Sequence, residues 1–459
     1  MNESSAISKS TPSGVAADPV QTPDVQVMQI PAQRVDSQPI KTGLVLGGGG
    51  ARGCYEIGAW QAFHECGVHF DCVAGTSIGA LVGAIYVQHT LKPLVDFVYT
   101  MSPAMIAEGM PEMPDSLRDI RSHREELIRF FQKYIRQGTD ISPLKDAIHR
   151  MFDWTLFSES TVDFACMTIN VTKMQGEAFF KKDMTEENAE SVILASASCF
   201  PAFPMLKMGN DYYIDGGMED NLPIGLAQEM GAQKIVAIDV HGPGREKPLP
   251  SDGSVVYMQP VIDLNNFLDF REDSCVRSLH LGYLETMKRY DRFCGYVFTF
   301  TQPSWPRLYM ISQYVAMHLD RYGITPDNAL AARCFHMTLG YDPAPLNNRY
   351  MDNYAGGRLI EALALAVGVE PVQLMSLEYF LTSLKDRTDR IPPLKQPGKI
   401  RQSLSLLQSS SHDQIISFLH AALVHHGGRL PMVLEPLRKL FETEYILACT
   451  WYCLKDYLK

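Results

Sequence analysis

Gly75-Thr76-Ser77-Ile78-Gly79 places a serine between two glycines, at a point where a short apolar run gives way to a helical one. A serine held there on a strand-to-helix turn is exposed at a helix N-terminus, which suits a nucleophile. The plainer alternative is a glycine-rich helix start capped by Ser77. Upstream, Gly47-Gly48-Gly49-Gly50-Ala51-Arg52-Gly53 contains the spacing GxGxxG at Gly48, Gly50 and Gly53. Two chemistries fit that run. One is an oxyanion hole, because glycines let backbone N–H groups converge at a helix start. The other is a dinucleotide site with pyrophosphate on the helix N-terminus and an acidic residue ~20 positions on; Asp71 lies near that distance, but before the strand's end. Downstream, Asp215-Gly216-Gly217 follows Tyr212-Tyr213-Ile214 and offers a carboxylate at a strand end, or else an ordinary turn. His241, after the apolar run 234–240, would complete the order Ser, Asp, His of an α/β-hydrolase triad.

These residues need elements to hold them. The run 43–46 reads as a buried strand ending in glycines. Tyr55, Gly58, Ala59, Ala62, Phe63 and Cys66 recur at helical spacing, with Gly67 as a stop. A second strand is expected over 68–73 and a buried helix over 78–88. Strand, helix, strand, helix in sequence predicts a parallel sheet with helices on its faces. Residues 90–162 interrupt the rhythm, with a helix over 115–137 and another opening at Ser142-Pro143. Strands are expected over 165–171, 178–180, 212–214 and 234–240, and helices over 186–198 and 224–230. A Pro/Gly-rich connector, 241–254, leads to a mostly helical remainder.

The segment 1–40 is rich in Pro, Ser and Gln without an aromatic residue, and is expected to be a disordered tail. Met101, Met105, Met110 and Met113 would suit a lid or acyl-chain pocket, or a cap packed on itself. Arg118, Arg121, Arg124, Arg129, Lys133 and Arg136 make a locally basic helix, read first as a solvated face and second as a contact for anionic headgroups. The apolar positions Leu437, Leu440, Phe441, Leu447, Trp451 and Leu454 are expected to pack on the core or on a second copy of the chain.

Composition bounds the choices. The 459 residues are 46% hydrophobic and 20% charged, as in ordinary globular proteins. A net charge of −11 makes nucleic acid a poor partner. The ten cysteines are too sparse for a disulfide scaffold, and no CxxC or CxxH pair suggests a metal. Neither a secretory signal nor an apolar stretch of transmembrane length is apparent, so a cytoplasmic location, peripheral to the membrane at most, is expected.

Taken together, the stretch LVLGGGGARGCYEIGAWQAFHECGVHFDCVAGTSIGALVGAIY at 44–86, ASASCFPAFPM at 195–205, Tyr213-Ile214-Asp215-Gly216-Gly217 and Asn221-Leu222-Pro223 resemble the patatin-like phospholipase family over about residues 42–241. The resemblance implies an α/β three-layer sandwich with a mostly parallel central sheet, followed here by a mainly helical C-terminal region. It divides the chain into the tail 1–40, a catalytic domain 41–255 with an insert at 90–162, and the helical region 256–459. It implies Ser77 as nucleophile and Asp215 as its base, without histidine. Gly48, Gly49, Gly50, Ala51 and Arg52 would supply oxyanion N–H groups, and Gly53, Gly75, Gly79, Gly216 and Gly217 shape the motifs. The implied activity is hydrolysis of lipid acyl esters with no metal or organic cofactor. Partners would be the lipid substrate, transiently a membrane surface, and a second copy through the C-terminal helices. The competing readings are a dinucleotide-dependent oxidoreductase and a catalytically silent lipid-binding protein.

Overall fold

The structure, a computed structural model, describes residues 40–110, 140–201, 203–392 and 407–459. The expected tail (apart from Ile40), the basic helix over 115–137 and Met113 lie outside the described residues. Chain order begins with β1 (Thr42–Leu46), α1 (Cys54–Cys66), β2 (Cys72–Thr76), α2 (Ile78–Val87) and α3 (Leu91–Val98). It continues with α4 (Ser142–Met151), α5 (Trp154–Glu159), β3 (Asp163–Asn170), β4 (Gln175–Phe180) and α6 (Ala189–Ser196). Next come β5 (Leu206–Met208), β6 (Asp211–Asp215), α7 (Gly217–Asp220), α8 (Ile224–Glu229), β7 (Lys234–Ile238) and β8 (Val255–Met258).

The second strand starts later than its apolar run suggests. Gly67 adopts a left-handed φ of 71° and ends α1. The N–H of Val68 then closes back onto Phe63 O at 2.9 Å, and that of Phe70 donates to the Tyr86 hydroxyl at 3.1 Å. With residues 68–71 engaged in this exit turn, the ladder begins at Cys72.

The sheet order is β5-β6-β3-β2-β1-β7-β8, with β4 on the far edge of β3. Pairs β3–β2, β2–β1, β1–β7 and β7–β8 are parallel; β4, β5 and β6 join antiparallel. β8 lies just past the Pro/Gly-rich connector, which therefore leads back to the sheet. One face carries Leu44, Leu46 and Val73 under α1 and α2; the other carries Val45, Ala74 and Ala237 under Leu226 and Ala227 of α8. These are the three layers of an α/β sandwich with a mostly parallel sheet.

Beyond the sheet come α9 (Glu272–Arg289), the short strands β9 (Phe293–Cys294) and β10 (Thr299–Thr301), α10 (Trp305–Leu319) and α11 (Asn328–Leu339). They are followed by α12 (Ala355–Ala366), β11 (Leu374–Met375), α13 (Leu377–Arg390), α14 (His412–His425), α15 (Leu437–Leu440) and α16 (Glu442–Tyr457). This region is mainly helical. Leu447 and Trp451 of α16 are buried within the chain itself. Lys41–Lys459 form one compact unit, and a single apolar cluster runs from Leu44 through α9 to Leu454. At the crossing of α1 and α9 the backbones nearly touch. A Cβ on Gly58 would fall 1.9 Å from Leu279 O, and one on Gly282 the same distance from Tyr55 O. No described helix is long and apolar enough to cross a membrane.

Candidate active site

Strand register brings the two chemical motifs together. β2 runs parallel to β3 and ends at Thr76, opposite Met167. β6 runs the other way and ends at Asp215, opposite Thr168. Both lie on one edge of β3, because β4 occupies the other edge at both positions. Two strands thus approach head to head along that edge and deliver Ser77 and Asp215 to the same point.

Ser77 sits at φ 57°, ψ −126°, a region that costs a residue with a side chain of order 1–3 kcal/mol. Its surroundings enforce that turn. The Ser77 N–H donates to Ser196 Oγ at 3.1 Å, and Ser196 in turn donates to Met167 O at 2.7 Å. Thr76 Oγ1 donates to Asp220 O at 2.8 Å. Strand and helix cross closely here: a Cβ on Gly75 would fall 2.3 Å from Gly79 O. The Asp215 carboxyl lies beside the Ser77 side chain and accepts the Gly217 N–H at 2.8 Å. Asp215 keeps some accessible surface but is packed by protein on nearly every side. That burial outweighs the lowering influence of Ser77 and of the Gly217 N–H and pushes its carboxyl up to about 6 from the usual 3.8.

The glycine run lies beside this pair, since a Cβ on Gly48 would be 3.2 Å from the Ser77 Cβ. Not all of its N–H groups are available. Gly48 N–H donates to Asn221 O (3.0 Å), Ala51 N–H to Phe267 O (2.8 Å) and Arg52 N–H to Gly49 O (3.1 Å). Among the described residues the N–H groups of Gly49 and Gly50 have no partner. The expectation that Gly48, Ala51 and Arg52 contribute oxyanion N–H groups is therefore corrected: those donors hold the loop in place.

The family model for patatin-like phospholipase matches residues 44–227, a span that holds the glycine run, Ser77, Asp215 and Asn221 but not Phe267. Residues 44–227 are a patatin-like phospholipase domain. Patatin-like phospholipase domain-containing protein 7 of Mus musculus is 31% identical over 200 residues, 43% of this chain and 13% of that protein. Lysophospholipase NTE1 of Mycosarcoma maydis is 30% identical over 198 residues, again 43% of this chain and 10% of that protein. The chain thus spans about a tenth of the length of these curated relatives. Among solved structures, VipD from Legionella pneumophila aligns over 92% of this chain and 87% of its own, at 12% identity and a TM-score of 0.28.

Just beyond the patatin-like domain, His241 is directed elsewhere. Its Nδ1 lies 3.0 Å from the buried Asp239 carboxylate and its Nε2 2.9 Å from Gln259 Oε1. The hydrogen bond to Asp239 raises its pKa. Both ring nitrogens are committed, and neither partner is Ser77, so the triad reading is not supported. Asp71 does not serve the glycine run either. Its carboxylate accepts the Thr42 N–H (2.6 Å) and hydroxyl (2.9 Å) at the start of β1, about 16 Å of strand away from Gly47.

Two parts of the patatin-like site carry no clear signature in sequence. Asn221 locks the glycine loop to the Asp215 segment, donating from Nδ2 to Gly48 O (3.1 Å) besides accepting its N–H; Asn-Leu-Pro was visible as a motif, the clamp was not. Arg52 reaches across to the carbonyls of Asn265 (2.8 Å) and His241 (2.5 Å). Finally, an apolar cavity of about 70 Å³ begins at Gly50 and Ile78, next to Ser77, and runs past Leu81, Phe97 and Met101 to Phe152. Of the expected methionines, Met101 lines it.

Proposed function

We propose that this chain is a serine hydrolase of lipid acyl esters, working through Ser77 and Asp215. The observation that carries the reading is the meeting of β2 and β6 on β3, which sets the strained Ser77 beside a carboxyl whose pKa is pushed up to about 6. An ordinary aspartate is too weak a base to take a serine proton; one near 6 is ionised at neutral pH and much closer to the task.

In the proposed reaction the Ser77 oxygen attacks the ester carbonyl carbon while its proton passes to Asp215. The resulting oxyanion is received by the Gly49 and Gly50 N–H groups. Collapse breaks the acyl–oxygen bond, and Asp215 returns the proton to the departing alcohol. Water then attacks the acyl-Ser77 ester with Asp215 again as base, releasing a fatty acid and restoring the serine. Water is the only co-reactant. The apolar lining between Gly50 and Phe152 suits the carbonyl-proximal part of a hydrocarbon chain, and relatives bearing the name lysophospholipase support glycerophospholipid or lysophospholipid as the substrate class. Such substrates reach the site from a membrane or micelle, so transient contact with a lipid surface is part of the proposal.

The test is release of fatty acid from a panel of short acyl esters, lysophospholipids and phospholipids. Turnover should be lost in Ser77→Ala and Asp215→Asn with the fold retained. No release from any member by the native chain, or release undiminished in Ser77→Ala, would refute the reading.

A further inference from the structure

A second cavity, of about 490 Å³, lies far along the chain from Ser77, among residues of α11, the turn at 343–348 and the start of α12. Its lining includes Tyr296, Asn328, Asn347, Asp352 and Arg358. The guanidinium carbon of Arg358 lies over the Tyr296 ring, 4.2 Å from its centroid. Its Nε is sealed from solvent and has no acceptor. Among the described residues the Arg358 side chain forms neither a hydrogen bond nor an ion pair. A guanidinium N–H left like this loses hydration without gaining a partner, which proteins rarely tolerate in an idle side chain.

The buried neighbours that could have served, Glu361 and the Tyr296 hydroxyl, are committed. Glu361, one turn further along α12, accepts the N–H groups of Tyr296 (3.0 Å) and Phe298 (2.9 Å) and the Tyr354 hydroxyl (2.8 Å). The Tyr296 hydroxyl donates to the carbonyls of Pro343 (3.1 Å) and Ala344 (3.0 Å), and its ring is braced edge-on by Phe335. The platform beneath Arg358 is therefore fixed. Asp352, exposed at the edge of the cavity, forms no ion pair with Arg358. Asn328 and Asn347 line the same space with side-chain amides that hold no partner among the described residues.

We propose that this cavity is a binding site for a small polar molecule carrying an oxyanion, a phosphate monoester or a carboxylate, held by Arg358. The planar fork of a guanidinium matches two oxygens of either group, and the Tyr296 ring beneath it holds it in place. The amides of Asn328 and Asn347 can donate to, or accept from, the rest of the ligand. The volume lies within the range of small-molecule sites and exceeds the need of a bare ion, so the anion is one end of a larger molecule. Nothing in this argument depends on the chemistry at Ser77.

The experiment is titration of the full chain, at fixed low ionic strength, with inorganic phosphate, glycerol phosphate and citrate, read by calorimetry and by the melting temperature. Binding of the phosphate compounds alone, or of citrate alone, identifies which oxyanion the site takes. Either should weaken at least ~10-fold in Arg358→Gln and persist in Ser77→Ala. Because Arg358 packs on Tyr296, a second variant, Asn347→Asp, places a negative charge in the cavity from an exposed turn; it should also weaken binding and should leave the fold untouched. No anion surpassing chloride in the native chain, or binding equal in Asn347→Asp and the native chain, would overturn the proposal.

Discussion

In the proposed mechanism Asp215 acts as a base, and the packing that makes it a better one also makes its charge costly. Its folded-state pKa of about 6 lies above the ordinary 3.8. A raised carboxyl contributes stability below pH 3.8 and loses it as pH rises through about 6. Asp215→Asn removes that charge. Its melting temperature, compared with the native chain, should therefore climb between about pH 4 and pH 6 and stay level above, while turnover vanishes. A pH-independent difference, measured by thermal melts across that range, would show that Asp215 is not perturbed in the fold. His241 behaves differently. With its ring nitrogens on Asp239 and Gln259, His241→Ala should keep most of kcat/KM. In a Ser-His-Asp triad the same change would cost several orders of magnitude.

At the scale of elements, the site depends on a meeting of β2 and β6 at residues 167 and 168 of β3, and on the clamp from Asn221 to Gly48. Asn221→Ala removes one of the two hydrogen bonds that Asn221 makes to the glycine loop and frees space beside it. The expected result is a fall in kcat of about 10-fold or more with KM little changed, since oxyanion donors act chiefly on the transition state. A raised KM at unchanged kcat would place Asn221 in substrate binding instead. The glycine loop and the turn at Ser77 were legible in the sequence because local backbone demands leave local marks: glycines at a turn, an apolar run on each side. The antiparallel approach of β6 was not, because three apolar residues do not state their direction or their partner. Nor was the true start of β2, where the exit turn of α1 claims the N–H groups of Val68 and Phe70. The bracing of the loop by Asn265 and Phe267 was invisible for a simpler reason: both act through backbone carbonyls, which every residue has.

That bracing matters for the whole molecule. Ala51 and Arg52, inside the match at 44–227, are tied to Phe267 and Asn265 beyond it, and α1 is covered by α9 at a crossing that admits no side chain at Gly282. A fragment ending at residue 255 would expose that face of α1 and lose both ties. It should be insoluble or inactive, whereas the full chain should be active; a soluble fragment with full turnover would contradict the packing argument. Gly282→Leu in the full chain should lower stability by about 1–3 kcal/mol or more, measured by chemical denaturation. The same view sets the central test. The full chain should be treated with a fluorophosphonate, the modified peptide identified by mass spectrometry, and the rate followed from pH 4 to pH 8. The account predicts a single adduct on Ser77, formed faster as pH rises through about 6, lost in Asp215→Asn and retained in His241→Ala. An adduct on another residue, or labelling of Ser77 that is unaffected by Asp215→Asn and abolished by His241→Ala, would contradict it.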